Sequence, residues 1–233
     1  MKKVGFIIFA IALVLGLGLA SIFSWGKAGA EFFNVDLEIG GTKGSGNVAT
    51  ETRDIKDFKA IDVSGIFNVE VVAQKGFGVQ VEADDNLLEY IKTEVNGGVL
   101  EISTTQKIKA TDGIKIRVSV PDIEKIEVSG VAKVSVKELK NSELKVDTSG
   151  ASKIELAGET DKLLIEVSGA SKIEAENLKA KSATIDSSGA SKISVFATES
   201  VRVDASGASK ITYAGGATQV VKKTSGASSV SAK

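Results

Sequence analysis

The 233-residue sequence predicts an all-β protein built as a parallel β-helix, a β-solenoid with rungs of about 19 residues. Two observations predict it. The dipeptide Ser-Gly returns at spacings of 20, 19, 20, 18 and 19 residues, and apolar and polar residues alternate on both sides of each copy. Alternation with a period of two is typical of strands with one buried face, and a fixed period indicates stacked repeats. Equivalent residues should therefore lie directly above one another, about 4.8 Å apart.

Each Ser-Gly dipeptide begins a longer unit that we interpret as a tight corner of the coil. Four copies read Ser-Gly-Ala-Ser-Lys in full, the first has valine and alanine at its third and fourth positions, and the last loses the lysine. Glycine permits an unusual backbone conformation at a corner, and alanine is small enough to lie inside the bend. The predicted corner glycines, including one from an earlier isolated copy, are Gly65, Gly130, Gly150, Gly169, Gly189, Gly207 and Gly226.

Aliphatic side chains stand at fixed offsets from the corner serines and predict the core of the coil. They are Ile126, Val146, Ile165, Ile185 and Val203 three residues before the serine, and Val134, Ile154, Ile173, Ile193, Ile211 and Val230 five residues after it. Parallel stacking would bring each set into single file. Leucine-rich repeats need several leucines at fixed offsets, which are absent here, and a propeller blade needs about 40 residues.

The segment before the regular repeats contains the same pattern once, and the pattern then becomes irregular. Ser64-Gly65 has aliphatic neighbours at the same offsets, and Asn96-Gly97-Gly98 predicts the turn of a β-hairpin. No linker separates the two parts. We therefore expect one domain over 53–233, with irregular rungs over 53–122 that cap its N-terminal end and regular repeats over 123–233.

Residues 1–30 predict export from the cytoplasm. After two lysines, 23 consecutive uncharged and mostly apolar residues run from Val4 to Gly26. An apolar helix of that length can span a bilayer, whereas Ala28-Gly29-Ala30 has the small residues of a signal-peptide cleavage site. A cleaved signal peptide and an uncleaved membrane anchor both stay open, and either makes the domain periplasmic, cell-surface or membrane-anchored outside the cytoplasm. Residues 31–52 are interpreted as a flexible tether, with a first irregular turn of the fold as the alternative.

The composition excludes several kinds of functional site. The sequence contains no histidine and no cysteine, so it lacks the commonest general base, the commonest transition-metal ligand and the cysteine nucleophile. The formal net charge of −1 gives no reason to expect nucleic-acid binding. Asp84-Asp85 does not belong to the glycine-containing loop of a calcium site. We therefore expect no catalytic residue, no metal and no cofactor.

Two columns of charge are expected on the outside of the coil. Acidic residues stand two positions before the corner serines, namely Glu127, Asp147, Glu166, Asp186 and Asp204, in a row expected on a convex surface. Lysines four positions after the serines form a candidate polar ladder of Lys133, Lys153, Lys172, Lys192 and Lys210. One interpretation is a solvated surface whose charges suppress edge-to-edge aggregation. The other is a ladder that recognises a repetitive polymer such as an envelope polysaccharide.

The last repeat ends eight residues past Ser225 and leaves an edge strand at the C-terminal end of the predicted coil. Unpaired backbone groups of such a strand can bond to another chain. We therefore expect self-association, or binding of a protein partner, through this edge.

The sequence resembles a bacterial family of unknown function described as a putative auto-transporter adhesin, head GIN domain. The resemblance covers residues 44–233 and is carried by Asp57-Phe58, by the segment from Ile61 to Val69 and by the Ser-Gly-Ala-Ser-Lys repeats. Phe67 interrupts the Gly-Ile-Asn of the family's name. The resemblance implies an exported, right-handed β-helix. We expect a non-enzymatic, adhesin-like or structural module of the cell envelope, and the alternative is a glycan-binding or glycan-processing β-helix protein.

Overall fold

The structure of the chain, a computed structural model, describes residues 40–233. The predicted signal peptide or anchor, 1–30, and the first part of the predicted tether, 31–39, lie outside the described residues. Within 40–233, no helix has both the length and the apolar character needed to cross a membrane.

The described residues form seventeen strands and one short 3-10 helix, Asp85–Tyr90. The strands of the N-terminal part are β1 (Thr42–Lys43), β2 (Val48–Arg53), β3 (Ala60–Gly65), β4 (Asn68–Val72), β5 (Gly78–Asp84), β6 (Ile91–Asn96), β7 (Val99–Thr104), β8 (Ile108–Lys109) and β9 (Lys115–Ser119). The strands of the repeats are β10 (Lys125–Gly130), β11 (Lys133–Thr148), β12 (Lys153–Val167), β13 (Lys172–Ser187), β14 (Lys192–Ala205), β15 (Lys210–Ala214), β16 (Gln219–Thr224) and β17 (Ser229–Ala232).

The strands coil into an all-β solenoid of about five turns with almost no helix. Each long strand from β11 to β14 makes most of one rung, and a four-residue corner joins it to the next strand. Every pair among β10 to β17 is parallel, and equivalent residues face each other, as Lys153 faces Lys172. The predicted parallel stacking of the repeats is confirmed.

Aliphatic side chains fill the inside of the solenoid in single file. Ile154, Ile173, Ile193 and Ile211 are in register on successive strands and have no solvent exposure. The column before the corners, from Ile126 to Val203, is buried in the same way. Full burial of one such side chain contributes roughly 1.5–3 kcal/mol, so stacking rungs stabilises strands that could not bury their apolar faces alone. The predicted core is confirmed except at Val230, which is only partly buried.

Antiparallel strands close the N-terminal end of the solenoid. The rung of β3 and β4 lies directly against β10 and β11, and β7 and β9 lie on its other side, all in parallel register. Beyond them β5 pairs antiparallel with β9, and β6 pairs antiparallel with β7. The hairpin predicted at Asn96-Gly97-Gly98 is confirmed, and both of its glycines have positive φ, as a two-residue turn of this kind requires.

The part of the predicted tether that the structure describes, 40–52, is not a free linker. β1 pairs with β8, and β2 pairs along its whole length with β5. The loop between β1 and β2 is held by the buried carboxylate of Asp84, which accepts hydrogen bonds from the amides of Thr111, at 2.8 Å, and Gly46, at 2.7 Å. These donors lower the pKa of Asp84 because they stabilise its charged form. The tether prediction is wrong for 42–52, because β2 covers the edge that β5 would otherwise expose.

The corners stack glycine on glycine. Each glycine lies against the glycine of the preceding rung, in the order Gly65, Gly130, Gly150, Gly169, Gly189, Gly207 and Gly226. The corner alanines are exposed, not enclosed by the bend as the sequence predicted. The side chain inside the bend is instead the second serine of the repeat, and Ser152, Ser171, Ser191 and Ser209 are all buried.

Ser171 shows how the hydroxyl groups of the buried serines find hydrogen-bond partners. Its hydroxyl donates to the carbonyl oxygen of Gly150 at 3.0 Å and accepts from the amide of Ser152 at 3.2 Å. Ser152, Ser191 and Ser209 make the equivalent bond to a corner glycine. Within 40–233, no buried side-chain nitrogen or oxygen lacks a hydrogen-bond partner. The serine column therefore ties neighbouring rungs together without leaving a polar group unpaired.

Replacing Ser171 with alanine is expected to lower the free energy of unfolding by about 1–3 kcal/mol, because the buried amide of Ser152 loses its acceptor. Urea unfolding followed by circular dichroism measures the loss. Ser168→Ala is the matched control, since this serine of the same corner is exposed, and its effect should not exceed about 0.5 kcal/mol. Equal losses in the two variants would contradict the role given to the buried hydroxyl.

Candidate functional site

The five lysines of the candidate site form one outward column, here called the lysine ladder: Lys133, Lys153, Lys172, Lys192 and Lys210. Each lysine begins one of the strands β11 to β15, in parallel register with the next. The residue that follows each lysine is a fully buried valine or isoleucine, and successive side chains of a strand point to opposite faces. The fold therefore brings all five lysines together on one exposed face, one per rung.

A second column, here called the flanking column, stands two residues after the ladder: Ser135, Glu155, Glu174, Ser194, Thr212 and Ser231. Ser194 is buried, and the other five residues are at least partly exposed. A glutamate in this column contacts the lysine of its own rung and the lysine of the rung before. Lys153 Nζ lies 2.5 Å from Glu155 and 3.0 Å from Glu174. Lys172 Nζ lies 2.5 Å from Glu174, and Lys133 Nζ lies 3.8 Å from Glu155.

The paired carboxylates are held in their charged form. Hydrogen bonds from Lys172 and then from Lys153 lower the pKa of Glu174 to about 2, and the bond from Lys153 lowers the pKa of Glu155. The same contacts raise the pKa of Lys153. Because these side chains are about one-third exposed or more, water screens the attraction, and the pairs contribute little to the stability of the fold. The main effect of the pairs is to cancel charge on this half of the ladder.

Lys192 and Lys210 lack such partners. The flanking column offers Lys192 only Ser194 and Thr212, and it offers Lys210 only Thr212 and Ser231. Both lysines are exposed, and neither makes an ion pair with any of the described residues. The ladder therefore has a neutralised first part and an unpaired last part. This division was not predicted from the sequence, although the residue two positions after each lysine indicates it: a glutamate there can pair with the lysine, whereas a serine or threonine cannot.

The acidic residues also stand in one column in parallel register, from Glu127 to Asp204. Four of them, from Asp147 to Asp204, line a shallow groove of about 520 Å³ together with corner serines, whereas a convex surface was expected. Lys145 Nζ lies 2.9 Å from Glu166 and 3.7 Å from Asp147, which neutralises part of the row. In the described part of the chain, no three acidic side chains are arranged to hold a metal ion. The carboxylates follow one another along one side, whereas glycoside hydrolysis needs two that flank the bond.

At the C-terminal end of the solenoid, β16 pairs with β14 and β17 pairs with β15. Lys222 on β16 is in register with the buried Val203 on β14, so β16 has a lysine at the position where the other strands have a core aliphatic residue. Its ammonium lies 4.8 Å from the ring centroid of Tyr213, a cation–π contact. A charged side chain at this position of an edge strand hinders pairing with another strand, which weighs against the self-association expected here.

The fold is shared with the crystal structures of two bacterial proteins. A putative adhesin from Bacteroides fragilis is 21% identical, and the alignment covers 83% of this chain and 100% of that chain with a TM-score of 0.70. A putative adhesin from Parabacteroides merdae is 19% identical, with 82% and 98% of the two chains covered and a TM-score of 0.53. At these identities the similarity shows a common fold alone. None of the curated proteins compared with this chain matches it.

A family model described as "Putative auto-transporter adhesin, head GIN domain" matches residues 57–217. The match begins at Asp57, the first residue of the motifs that carry the resemblance, and it includes every residue of the lysine ladder. It covers well over half of the chain. The protein therefore belongs to the family of putative auto-transporter adhesins defined by the head GIN domain.

Proposed function

We propose that this protein is an exported, non-enzymatic binding module of the cell envelope with an adhesin-like role, and that the lysine ladder is its binding surface. Family membership and the fold shared with two proteins named as putative adhesins support the adhesin-like role. The long uncharged segment after Lys3 supports export. We also infer a right-handed coil, because parallel crossover connections are nearly always right-handed.

One observation carries the binding role: five identical cations stand in register on one exposed face. Parallel strands place them one rung, or about 4.8 Å, apart. A polymer presents the same chemical group again and again, so several weak contacts with such a column act together, as linked binding sites do. This mode of binding needs no deep pocket. An envelope polysaccharide is a polymer of this kind, and we propose it as the ligand.

The test measures binding of the purified full-length chain to isolated envelope polysaccharides by calorimetry. Replacing all five ladder lysines with serine should weaken binding by about tenfold or more, because each charge-assisted contact is lost. A second variant with the same net charge is the control, with serine at five exposed lysines outside the ladder: Lys75, Lys107, Lys140, Lys162 and Lys179.

The control should bind as tightly as the unaltered chain. If the unaltered chain binds no envelope polysaccharide, or if both variants bind equally well, the proposal fails. Release of shortened sugar chains during the assay would instead show that the protein processes glycans.

A further inference from the structure

Positive charge is concentrated in the last rungs of the solenoid. Residues 192–233 contain 6 lysine and arginine side chains against 2 acidic ones, a net charge of +4. Residues 40–191 contain 20 basic side chains against 25 acidic ones, a net charge of −5. The formal charge of the whole chain, −1, conceals this separation. One end of the solenoid is therefore basic, although the protein is nearly neutral.

The flanking column and the acidic column both change composition at this end of the solenoid. In the flanking column, glutamate at position 174 gives way to the hydroxyl side chains of Ser194 and Thr212. In the acidic column, Asp204 is followed in register by Lys223. At the flanking positions beside Lys192 and Lys210 there is thus no glutamate, so neither ammonium group is paired there.

We propose that Lys192 and Lys210 bind an anionic glycan, a polysaccharide whose sugar units carry carboxylate groups. The proposal rests on the function proposed above and names the class of its ligand. A ligand carboxylate can pair with these lysines without displacing a glutamate of the protein, and charge-assisted bonds of this kind are stronger than neutral ones. Thr212 occupies the flanking position next to both lysines, and its hydroxyl can form a hydrogen bond with a hydroxyl group of the sugar.

The first part of the ladder already has carboxylate partners within the protein. Lys153 and Lys172 already contact Glu155 and Glu174 at 2.5 to 3.0 Å. An incoming carboxylate would have to break these pairs and would be repelled by the two glutamates. Within the ladder, we therefore assign the contacts with the ligand's carboxylate groups to Lys192 and Lys210.

Thr212→Glu tests the assignment without removing a lysine. Position 212 stands to Lys210 and Lys192 as Glu174 stands to Lys172 and Lys153. The new carboxylate should pair with both lysines and weaken binding of the full-length chain to polygalacturonate by about tenfold. Added salt should weaken binding by the unaltered chain, because it screens exposed charges.

Two double variants complete the experiment. Lys192→Ser/Lys210→Ser should lose binding as Thr212→Glu does. Lys162→Ser/Lys179→Ser removes the same number of lysines from exposed positions outside the ladder, and it should bind polygalacturonate as tightly as the unaltered chain. Circular dichroism and the unfolding midpoint show that each variant is folded.

The outcomes separate this inference from the proposed function. If polygalacturonate binds equally well to Thr212→Glu, or if the neutral glycan pullulan binds equally well to the unaltered chain, the inference is overturned while glycan binding stands. If no glycan binds, the proposed function fails as well. If light scattering shows that the chain self-associates and that Thr212→Glu abolishes this, the lysines face the carboxylates of a second copy, and the inference is also overturned.

Discussion

Replacing Gly189 with alanine is expected to lower the free energy of unfolding by about 3 kcal/mol, because the corner has no space for the added methyl group. A Cβ at this position would lie 2.0 Å from the carbonyl oxygen of Gly169 and 2.9 Å from its carbonyl carbon. These are backbone atoms of the preceding rung, so no side-chain rotation relieves the contact. The rungs must separate, which lengthens the 3.1 Å hydrogen bond from the amide of Ala190 to the oxygen of Gly169. Urea unfolding of the full-length chain measures the loss.

Gly76→Ala is the matched control for this substitution. A Cβ at Gly76 would have no neighbour within 4 Å, and its φ is not positive. The same change of residue should therefore leave the free energy of unfolding unchanged or raise it slightly, because alanine restricts the unfolded chain. Comparable losses at the two positions would show that the close approach of backbones at the corner is not what requires glycine.

The stacking that makes Gly189 intolerant of change could be predicted from the sequence. A five-residue unit returns every 18 to 20 residues, with aliphatic residues at fixed offsets from it. Parallel rungs in register bury all of these aliphatic residues together, and other arrangements do so with difficulty. Each rung has the same pattern, so correct pairing of one rung implies correct pairing of the next. The repeat therefore predicted both the register and the buried column that contains Ile173.

The inside of the corner was not predicted correctly, because alanine and serine are both small enough to fit there and size alone does not distinguish them. The alternation of the strand was the better guide. Lys153 faces outward and Ile154 inward, so an unbroken period of two places Ser152 on the inside. A hydroxyl can lie there because the carbonyl of Gly130 and the amide of Ala132 supply partners. Neighbouring backbone groups of this kind are invisible in the sequence until the rungs are stacked.

The N-terminal cap and the division of the lysine ladder were missed for different reasons. β2 joins the sheet only because β5 has an open edge, and which strand has an open edge depends on the whole topology. The unpaired state of Lys210, by contrast, follows from which residues stand at positions 212 and 231, both of which are printed in the sequence. The unpaired state of Lys210 could therefore have been predicted from the sequence, given parallel stacking of the rungs in register.

Replacing Ile173 with alanine is expected to cost about 4 kcal/mol of unfolding free energy, within the range measured for truncating a buried isoleucine. Ile173 has no solvent exposure and lies in register with Ile154 on one side and Ile193 on the other, so the truncation opens a cavity between two rungs. Ile66→Ala is the matched control, because Ile66 is 75% exposed, and its effect should be at most about 0.5 kcal/mol. Urea unfolding measures both, and a small loss at Ile173 would contradict the buried column.

The pair Ile173 and Ile193 tests whether that column is continuous. The two residues face each other across β13 and β14, so alanine at both positions should leave one merged cavity. Truncations of side chains in contact do not add, and the loss in the double variant should differ from the sum of the single losses by about 0.5 kcal/mol or more. Strictly additive losses would mean that the two side chains do not touch. Rungs stacked out of register would behave in that way, and the exposed lysines could not then form a ladder.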